Sequence, residues 1–442
     1  MNRRKFLKGA AAAGLAVHIL PRHVLGGEGQ TAPSDKLNIA GVGVGGQGGG
    51  DLGDGAIASQ NIVGLCDVDS NRAAGSVKRF PKAEFFKDYR VMLEKCKGIE
   101  AVVIGTPDHM HAPVALACLR AGKHVYVEKP LCHTIEEARL LTKVAKETGL
   151  VTQMGNQGHG GEGLRATREW IQAGVIGTIK EAHCWSDRPG RFWTQAVQRP
   201  ADTPPVPATL DWNLWLGAAP ERPYHPKYCP REWRGWFDFG NGAMGDMAVH
   251  NMDPAFYALD LDTPLATEAQ TSEPFPESYP AWEIITYEFA AKGARPAFKL
   301  VWYDGGKMPV RPEEFDEGFK LGDNGIYFRG EKGVIFCEGW AGMPRLFPRS
   351  LRKDFQPPPK TIPRSPGHRV EWVKACKARK PDDAKAGFAY SGPYVESLLI
   401  GNLASRFRKR IEWDAANMKA SNAPEADPLI RKKYRPGFGI AG

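Results

Sequence analysis

Short apolar stretches alternate with segments of helical periodicity from residue 36 to residue 153. The apolar stretches predict strands at 37–42, 61–66, 101–105, 124–127 and 150–154. Residues 112–121 and 135–148 repeat apolar side chains at helical spacing, with Thr134 placed to cap the second helix and Gly149 placed to end it. Strands that alternate with helices predict a doubly wound parallel sheet, and therefore an α/β fold with a first domain over 36–153.

The pattern changes after this domain. Tryptophans crowd a segment that is rich in Pro, Gly and Arg, and residues 282–303 contain patches of alternating apolar and polar positions, which predict antiparallel strands. Residues 356–360, Gln-Pro-Pro-Pro-Lys, are typical of a linker or a rigid loop. Helical spacing returns at 370–378 and 394–407. We therefore predict a second domain over 154–442.

The first residues have a basic start followed by an apolar stretch. Arg3 and Arg4 stand beside Lys5, and the apolar segment 9–20 ends at Pro21. This layout predicts a twin-arginine signal peptide over residues 1–30 and export to the periplasm. The apolar segment is too short for a permanent membrane span, so no stable membrane insertion is expected. The alternative is a frayed amphipathic N-terminus.

Length, charge and cysteine pattern limit the domain count and the kinds of ligand that the protein is expected to bind. The 442 residues are enough for two domains with a large core. Five positive charges of the net +9 lie before residue 26, where there is no acid, which leaves +4 for the remainder. That balance, without a dense basic run, gives no indication of nucleic-acid binding. The eight cysteines show no Cys-x-x-Cys spacing, so no metal site is predicted; they are expected to be small buried hydrophobes, and a disulfide stays open.

A glycine-rich turn follows the first predicted strand. Gly43-x-Gly45-x-x-Gly48 allows a tight turn and lets the backbone approach a pyrophosphate at the start of a helix. An earlier register beginning at Gly41 also fits, but the later one leaves a full strand before the turn. Asp67 ends the second strand, where a carboxylate accepts hydrogen bonds from ribose hydroxyls and repels a 2′-phosphate. The turn therefore predicts a dinucleotide site that favours NAD over NADP; the alternative is a structural turn with a surface aspartate.

Glu128-Lys129-Pro130 directly follows the predicted strand 124–127. The carboxyl edge of a parallel sheet is where doubly wound folds bind ligands. A proline there shapes the turn, in some cases through a cis bond, so that the lysine faces a nicotinamide. The alternative is a solvated Glu-Lys turn, and the spacing alone favours neither interpretation over the other.

The combined motifs closely resemble the glucose–fructose oxidoreductase / inositol dehydrogenase / MocA family, in particular its exported bacterial branch. The motifs in question are the glycine turn, Thr106-Pro107-Asp108-x-x-His111, Glu128-Lys129-Pro130, Gly245-Asp246-Met-Ala-Val-His250 and the C-terminal segments 399–406 and 412–437. The resemblance covers nearly all of the chain after the leader. It implies a Rossmann domain, then an α+β domain with an open, mostly antiparallel sheet. It also implies that Thr106, Pro107, His111, Glu128 and Lys129 contribute to the cofactor site.

In dehydrogenases of this family the matching Lys, Asp and His form the catalytic group, which implies these roles for Lys129, Asp246 and His250. The Asp-x-x-x-His spacing places the last two on one helical face. Chemically, His250 is suited to remove a hydroxyl proton, Asp246 to orient it, and Lys129 to stabilise alkoxide charge. The alternative for His250 is a buried helix histidine that bonds a backbone carbonyl.

Substrate contacts are expected from two further segments. Asn156, Gln157 and His159 follow the last strand of the first domain and are expected to line the cleft. Trp233 and Arg234 precede the predicted catalytic helix, and an aromatic face with a guanidinium suits a sugar. The alternative for most of the tryptophans is a place in the core or at a subunit interface, because aromatic side chains bury large areas.

We therefore expect an NAD-dependent oxidoreductase that acts on a secondary hydroxyl of a sugar, glycoside or polyol and keeps its cofactor tightly bound. The alternative is a glycoside hydrolase that oxidises C3 transiently with bound NAD, eliminates and rehydrates. The relatives with that chemistry have Tyr-x-x-His where this chain has Asp246, which favours the dehydrogenase, whereas export favours a reaction with internal redox balance. A non-catalytic sugar-binding protein is a third hypothesis. By resemblance, the protein is expected to form a homodimer or homotetramer.

Overall fold

Two β-sheets organise the chain in the computed structural model, which describes residues 32–440. The predicted signal peptide lies outside these residues. Within them, no helix is both long and apolar enough to cross a membrane. All eight cysteines are described; none forms a disulfide, and every one except the half-buried Cys96 is buried.

The first sheet has six parallel strands in the order β3-β2-β1-β4-β5-β6. These strands are β1 (Asn38–Val42), β2 (Asn61–Cys66), β3 (Glu84–Phe86), β4 (Ala101–Ile104), β5 (His124–Val127) and β6 (Thr152–Met154). The chain order reverses between β1 and β4, and doubly wound folds bind ligands at the carboxyl ends of the strands at such a point. The prediction of a doubly wound α/β sheet is confirmed.

Six helices connect these strands: α1 (Gln47–Leu52), α2 (Gly55–Ala58), α3 (Ser70–Arg79), α4 (Tyr89–Lys95), α5 (Asp108–Arg120) and α6 (Ile135–Thr148). Helix α6 matches its prediction because Thr134 and Glu137 form a capping box and Gly149 adopts a left-handed φ of +62°. Helix α5 begins four residues before its predicted start at 112. Its first turn is buried, polar residues included, so amphipathic spacing does not mark it.

The second sheet has nine strands in the order β13-β12-β11-β7-β10-β9-β8-β14-β15. They are β7 (Ile179–Ser186), β8 (Ala266–Thr271), β9 (Glu283–Phe289), β10 (Phe298–Tyr303), β11 (Asn324–Gly330), β12 (Val334–Glu338), β13 (Arg345–Phe347), β14 (Ile411–Asp414) and β15 (Lys419–Ala420). Strands β9 and β10 pair antiparallel, with Tyr287 opposite Leu300, as their alternating pattern predicted. Strands β7 and β10 run parallel, so the sheet is mixed but mostly antiparallel, as expected.

The remaining helices are α7 (Glu162–Gln172), α8 (Trp212–Leu216), a π-helix (Met244–Ala248), α9 (Val249–Asn251), α10 (Asp253–Leu259), α11 (His368–Ala378), α12 (Phe388–Phe407) and α13 (Asp427–Ile430). Short 3-10 turns lie at Pro33–Asp35, Gln157–Gly160, Glu232–Gly235, Arg349–Arg352, Pro381–Asp383 and Pro424–Ala426. Helix α11 belongs to the second half of the chain but packs on the first sheet. Its Trp372 is fully buried there and donates an indole hydrogen bond to the Val125 carbonyl at 3.1 Å.

Candidate active site

The glycine turn lies between β1 and α1, at the carboxyl edge of the first sheet. Gly43 has a φ of +77°, and a Cβ there would lie 2.6 Å from the backbone nitrogen of Thr106. A Cβ on Gly48 would lie 2.5 Å from the Gly43 carbonyl oxygen. Both positions therefore exclude a side chain, and the turn packs directly against the loop after β4. This bare backbone fits the close approach that a dinucleotide pyrophosphate needs.

Asp67 directly follows β2 and lies beside the glycine turn in the cavity wall. Its Oδ2 accepts a hydrogen bond from the Gly45 amide at 2.8 Å, and its Oδ1 accepts one from the Asp69 amide at 3.0 Å. Burial raises the pKa of Asp67 to about 6, although the two amide hydrogen bonds oppose the shift. The carboxylate is thus mostly ionised at neutral pH and keeps lone pairs for a ribose diol, so the residues present fit NAD.

Thr106 and Pro107 line the cavity at the end of β4, whereas His111 lies behind it. The His111 ring contacts two carbonyl oxygens, that of Thr106 at 2.8 Å and that of Pro130 at 2.6 Å. Burial lowers the pKa of His111 to about 4. This residue therefore joins the two turns that form the cofactor site and does not face the cavity itself.

Glu128 is buried beneath the turn and interacts with Asp51 of α1. Burial raises the pKa of Glu128 well above its usual range, and the charge of Asp51 raises it further. Asp51 Oδ2 and Glu128 Oε1 are both buried without a hydrogen-bond partner in residues 32–440, and a proton on Glu128 would let the two carboxyl groups share a hydrogen bond. Asp51 also pairs with Arg369 of α11. The Glu128 side chain thus braces the glycine turn against the second half of the chain.

Lys129 and Asp246 meet inside the cavity. The Lys129 ammonium donates to Asp246 Oδ1 at 2.7 Å and to the Asp246 carbonyl at 2.9 Å, and the Lys129–Pro130 bond is cis. Only 15% and 7% of the two side chains are exposed. Burial alone would raise the pKa of Asp246, but the charges of Lys129 and Arg234 outweigh it and hold this pKa well below its usual range. The result is a fixed ammonium beside a permanently ionised carboxylate.

His250 is buried near Lys129 and Asp246 but is not part of the cavity wall. Asp246 lies in the π-helix Met244–Ala248, where the widened turn changes the register that a four-residue spacing has in an α-helix. Asp246 accordingly contacts Lys129 and Arg234, and the buried His250 Nδ1 has no hydrogen-bond partner among the described residues. Burial, and then the charge of Lys129, lower the pKa of His250 well below its usual range. The ring is therefore neutral at physiological pH.

The structure places only two of the five residues predicted on the two substrate segments, Trp233 and Arg234, in the cavity wall. Trp233 and Arg234 line the cavity, with the guanidinium 4.2 Å from the indole ring centre. Asn156 and His159 instead bind the buried Asp253 carboxylate, with Asn156 Nδ2 at 3.2 Å and His159 Nδ1 at 2.9 Å from Oδ2. Gln157 is exposed and does not line the cavity. Asn156 and His159 thus belong to a buried network behind the site rather than to its wall.

One cavity of about 510 Å³ connects the glycine turn, Asp67, Lys129 and Asp246. Its wall also contains Arg188 and Phe192 from the loop after β7, which the sequence analysis did not single out. The only sequence indication of these residues is the general richness of that loop in arginine and tryptophan.

Comparison with known families decides the classification. Residues 37–156 match the family model GFO_IDH_MocA, described as "Oxidoreductase family, NAD-binding Rossmann fold". Residues 167–440 match GFO_IDH_MocA_C2, described as "Oxidoreductase family, C-terminal alpha/beta domain". The chain belongs to this family. The predicted family and the prediction of NAD as cofactor are therefore confirmed.

Among curated members of the family, the levoglucosan dehydrogenase of Pseudarthrobacter phenanthrenivorans is 26% identical over 195 residues, or 44% of this chain and 42% of that protein. The inositol 2-dehydrogenase of Rubrobacter xylanophilus is 32% identical over 147 residues, or 33% of this chain and 42% of that protein. Each match therefore spans less than half of the relative. The WlbA dehydrogenase from Bordetella pertussis, solved with NADH and UDP-GlcNAcA, has the same fold, with a TM-score of 0.60, 18% identity and coverage of 86% of this chain and 99% of that one.

Proposed function

We propose that this protein is an NAD-dependent oxidoreductase that removes hydride from the carbon of a secondary hydroxyl in a sugar, glycoside or polyol. The observation that carries the proposal is the single cavity that holds both the dinucleotide turn with Asp67 and the Lys129–Asp246 pair. The names of the curated relatives, levoglucosan dehydrogenase and inositol 2-dehydrogenase, support the same class of substrate.

NAD, when bound, supplies the hydride acceptor. Gly43, Gly45 and Gly48 admit its pyrophosphate, and Asp67 receives its ribose hydroxyls. The Lys129 ammonium donates a hydrogen bond to the substrate oxygen and stabilises the negative charge that develops there as the proton leaves. We assign the uptake of that proton to His250 because it matches the catalytic histidine of the family, so that one hydride and one proton leave the alcohol and a ketone remains. Asp246 orients the Lys129 ammonium.

The test measures NADH formation by the leaderless protein with a panel of sugars, polyols and glycosides. We expect NADH to form with at least one of them and Lys129→Ala to abolish it. Full activity in Lys129→Ala would refute the assignment of the site. Release of aglycone from a glycoside without net NADH would instead favour the transient oxidation, elimination and hydration of a hydrolase.

We further propose that the cofactor stays bound through turnover, that the protein is exported by the twin-arginine route, and that it forms a homodimer or homotetramer. The leader pattern supports export, and export supports retention because a captive cofactor needs no external supply. Mass spectrometry of the molecules that the denatured protein releases tests retention, since stoichiometric NAD is expected. Light scattering coupled to size-exclusion chromatography tests the assembly, and a monomeric mass would refute it.

A further inference from the structure

Arg188 lies in the cavity wall, and no carboxylate among residues 32–440 is in hydrogen-bond contact with its guanidinium. Its nearest carboxylate oxygen is Asp246 Oδ2, 4.0 Å away, which is too far for a hydrogen bond. Asp246 Oδ2 is itself one of the buried oxygens without a hydrogen-bond partner in the described part of the chain. The Asp246 carboxylate is thus already bound on its other oxygen, by Lys129 and Arg234, and leaves Arg188 free to bind something else.

Two aromatic rings lie beside the Arg188 guanidinium. It lies 4.0 Å from the centre of the Phe192 ring and 5.4 Å from the centre of the Trp340 ring. Its side chain is 24% exposed, so the group is accessible from the cavity without being freely solvated. A guanidinium that is fixed by stacking loses less conformational entropy when it binds a ligand than one on a mobile side chain does.

The charges around Asp246 do not balance. Lys129, Arg188 and Arg234 all lie within 4.0 Å of its carboxylate oxygens, which gives three positive charges to one negative charge. The neighbouring Asp108 is buried, and burial raises its pKa to about 7, so it supplies at most part of a charge at neutral pH. An oxidised nicotinamide beside these residues would add a further positive charge. The substrate end of the cavity therefore has an excess of positive charge.

We propose that the substrate is an acidic sugar whose carboxylate or phosphate binds the Arg188 guanidinium beside the Lys129–Asp246 pair. This inference rests on the proposed function and adds the chemical class of the substrate to it. The planar fork of a guanidinium matches the oxygens of either anion, and charge-assisted hydrogen bonds of this kind are among the strongest that proteins make. Arg188 is then a specificity-determining residue and takes no part in proton transfer.

Matched sugars of different charge test the proposal. NAD-loaded protein is given glucose, glucuronate or glucose 6-phosphate, and in a second series galactose, galacturonate or galactose 6-phosphate, and the single-turnover formation of NADH is followed. Binding of the same sugars to NADH-loaded protein is measured in parallel by calorimetry. We expect an acidic member of at least one series to be preferred over its neutral counterpart, and the carboxylate and phosphate members identify which anion the site takes.

Arg188→Gln is the diagnostic variant, and Arg191→Gln is its matched control. Both guanidinium groups lie over the Phe192 ring, but Arg191 is outside the cavity wall and pairs with Asp187 and Asp323. We expect Arg188→Gln to lower kcat/KM for the preferred acidic sugar, mainly through KM, by about 10- to 100-fold more than for its neutral counterpart. Arg191→Gln is expected to keep the preference for the acidic sugar.

The outcomes separate this inference from the proposed function. Equal or better use of neutral sugars in both series, or an acidic preference that persists in Arg188→Gln, would overturn the role of Arg188 while leaving the oxidoreductase in place. Acidic sugars that bind through Arg188 but never reduce NAD would support the anion site and refute the proposed reaction. Absence of both binding and NADH formation with every sugar would overturn both.

Discussion

Replacing Lys129 with methionine separates the catalytic use of its ammonium from its structural use. The variant removes a donor 2.7 Å from Asp246 and leaves the buried carboxylate with Arg234 Nε at 3.3 Å. Breaking a buried ion pair costs about 3–5 kcal/mol of stability, and the remaining arginine contact favours the lower end of that range. Loss of a donor to the developing alkoxide lowers kcat by about 10²- to 10³-fold.

The chain offers a control with nearly the same geometry. Lys432 pairs with the buried Glu137 at 2.7 Å, and its side chain is 15% exposed, as is that of Lys129. Lys432 is outside the cavity wall. We therefore expect Lys432→Met to lose a similar amount of stability, about 3 kcal/mol, and to keep its activity per folded molecule.

Urea unfolding followed by circular dichroism measures the stability of both variants, and single-turnover NADH formation measures their activity. The pKa of Asp246 is lowered in the folded protein. The Lys129–Asp246 pair therefore contributes its full stabilisation of the fold above the unfolded pKa of 3.8, and this stabilisation is lost only as pH falls through the lower folded pKa. The stability difference between Lys129→Met and the parent is thus expected to stay constant between about pH 5 and 8. Equal activity losses in Lys129→Met and Lys432→Met would refute the reasoning, because activity would then merely follow stability.

Three further substitutions test the cofactor end and the base. Burial raises the pKa of Asp67 to about 6, and its ionised form binds the ribose, so the affinity for NAD is expected to fall as pH drops below 6. Asp67→Asn is expected to bind NAD weakly, without this pH dependence, and to discriminate less against NADP. Isothermal titration calorimetry with NAD and NADP measures these affinities. Gly43→Ala is expected to weaken NAD binding at least tenfold, because its Cβ would lie 2.6 Å from the Thr106 nitrogen, and unchanged affinity would contradict the turn assignment. His250→Gln is expected to lower kcat by about 10²-fold or more while NAD affinity is kept, and an unaltered pH–rate profile would remove His250 as the base.

The first sheet could be predicted closely from the sequence, and the reason is local. Its central strands are short, continuous apolar stretches that end at glycine or polar residues, so each strand marks its own limits. Helix α7 was not predicted because its inner face contains buried polar residues. Arg165 donates hydrogen bonds to backbone carbonyls, and Glu169 accepts hydrogen bonds from the segment around Arg364, so two charged residues share the buried face with Leu164.

Some residues of the candidate site could likewise be predicted from local sequence, and others could not. Lys129 and Asp67 were predictable because each lies at the carboxyl end of a recognisable strand, where the fold itself directs side chains to the ligand. Asn156 and His159 stand in an equivalent position after β6, yet they bind Asp253. Their orientation depends on a carboxylate nearly a hundred residues away, which spacing along the chain does not reveal.

Arg188 was missed for a further physical reason. An arginine in a loop is ordinarily a solvated surface charge, and nothing within residues 187–193 distinguishes it from Arg191, which is such a charge. What distinguishes Arg188 is Trp340, about 150 residues later, together with the Asp246 carboxylate that Lys129 and Arg234 already occupy. Motifs fix the parts of a site that bind what all members of a family share, such as the dinucleotide. Residues that select a particular substrate come from loops whose contacts form only in the folded chain, and an anion preference at Arg188 would be of this second kind.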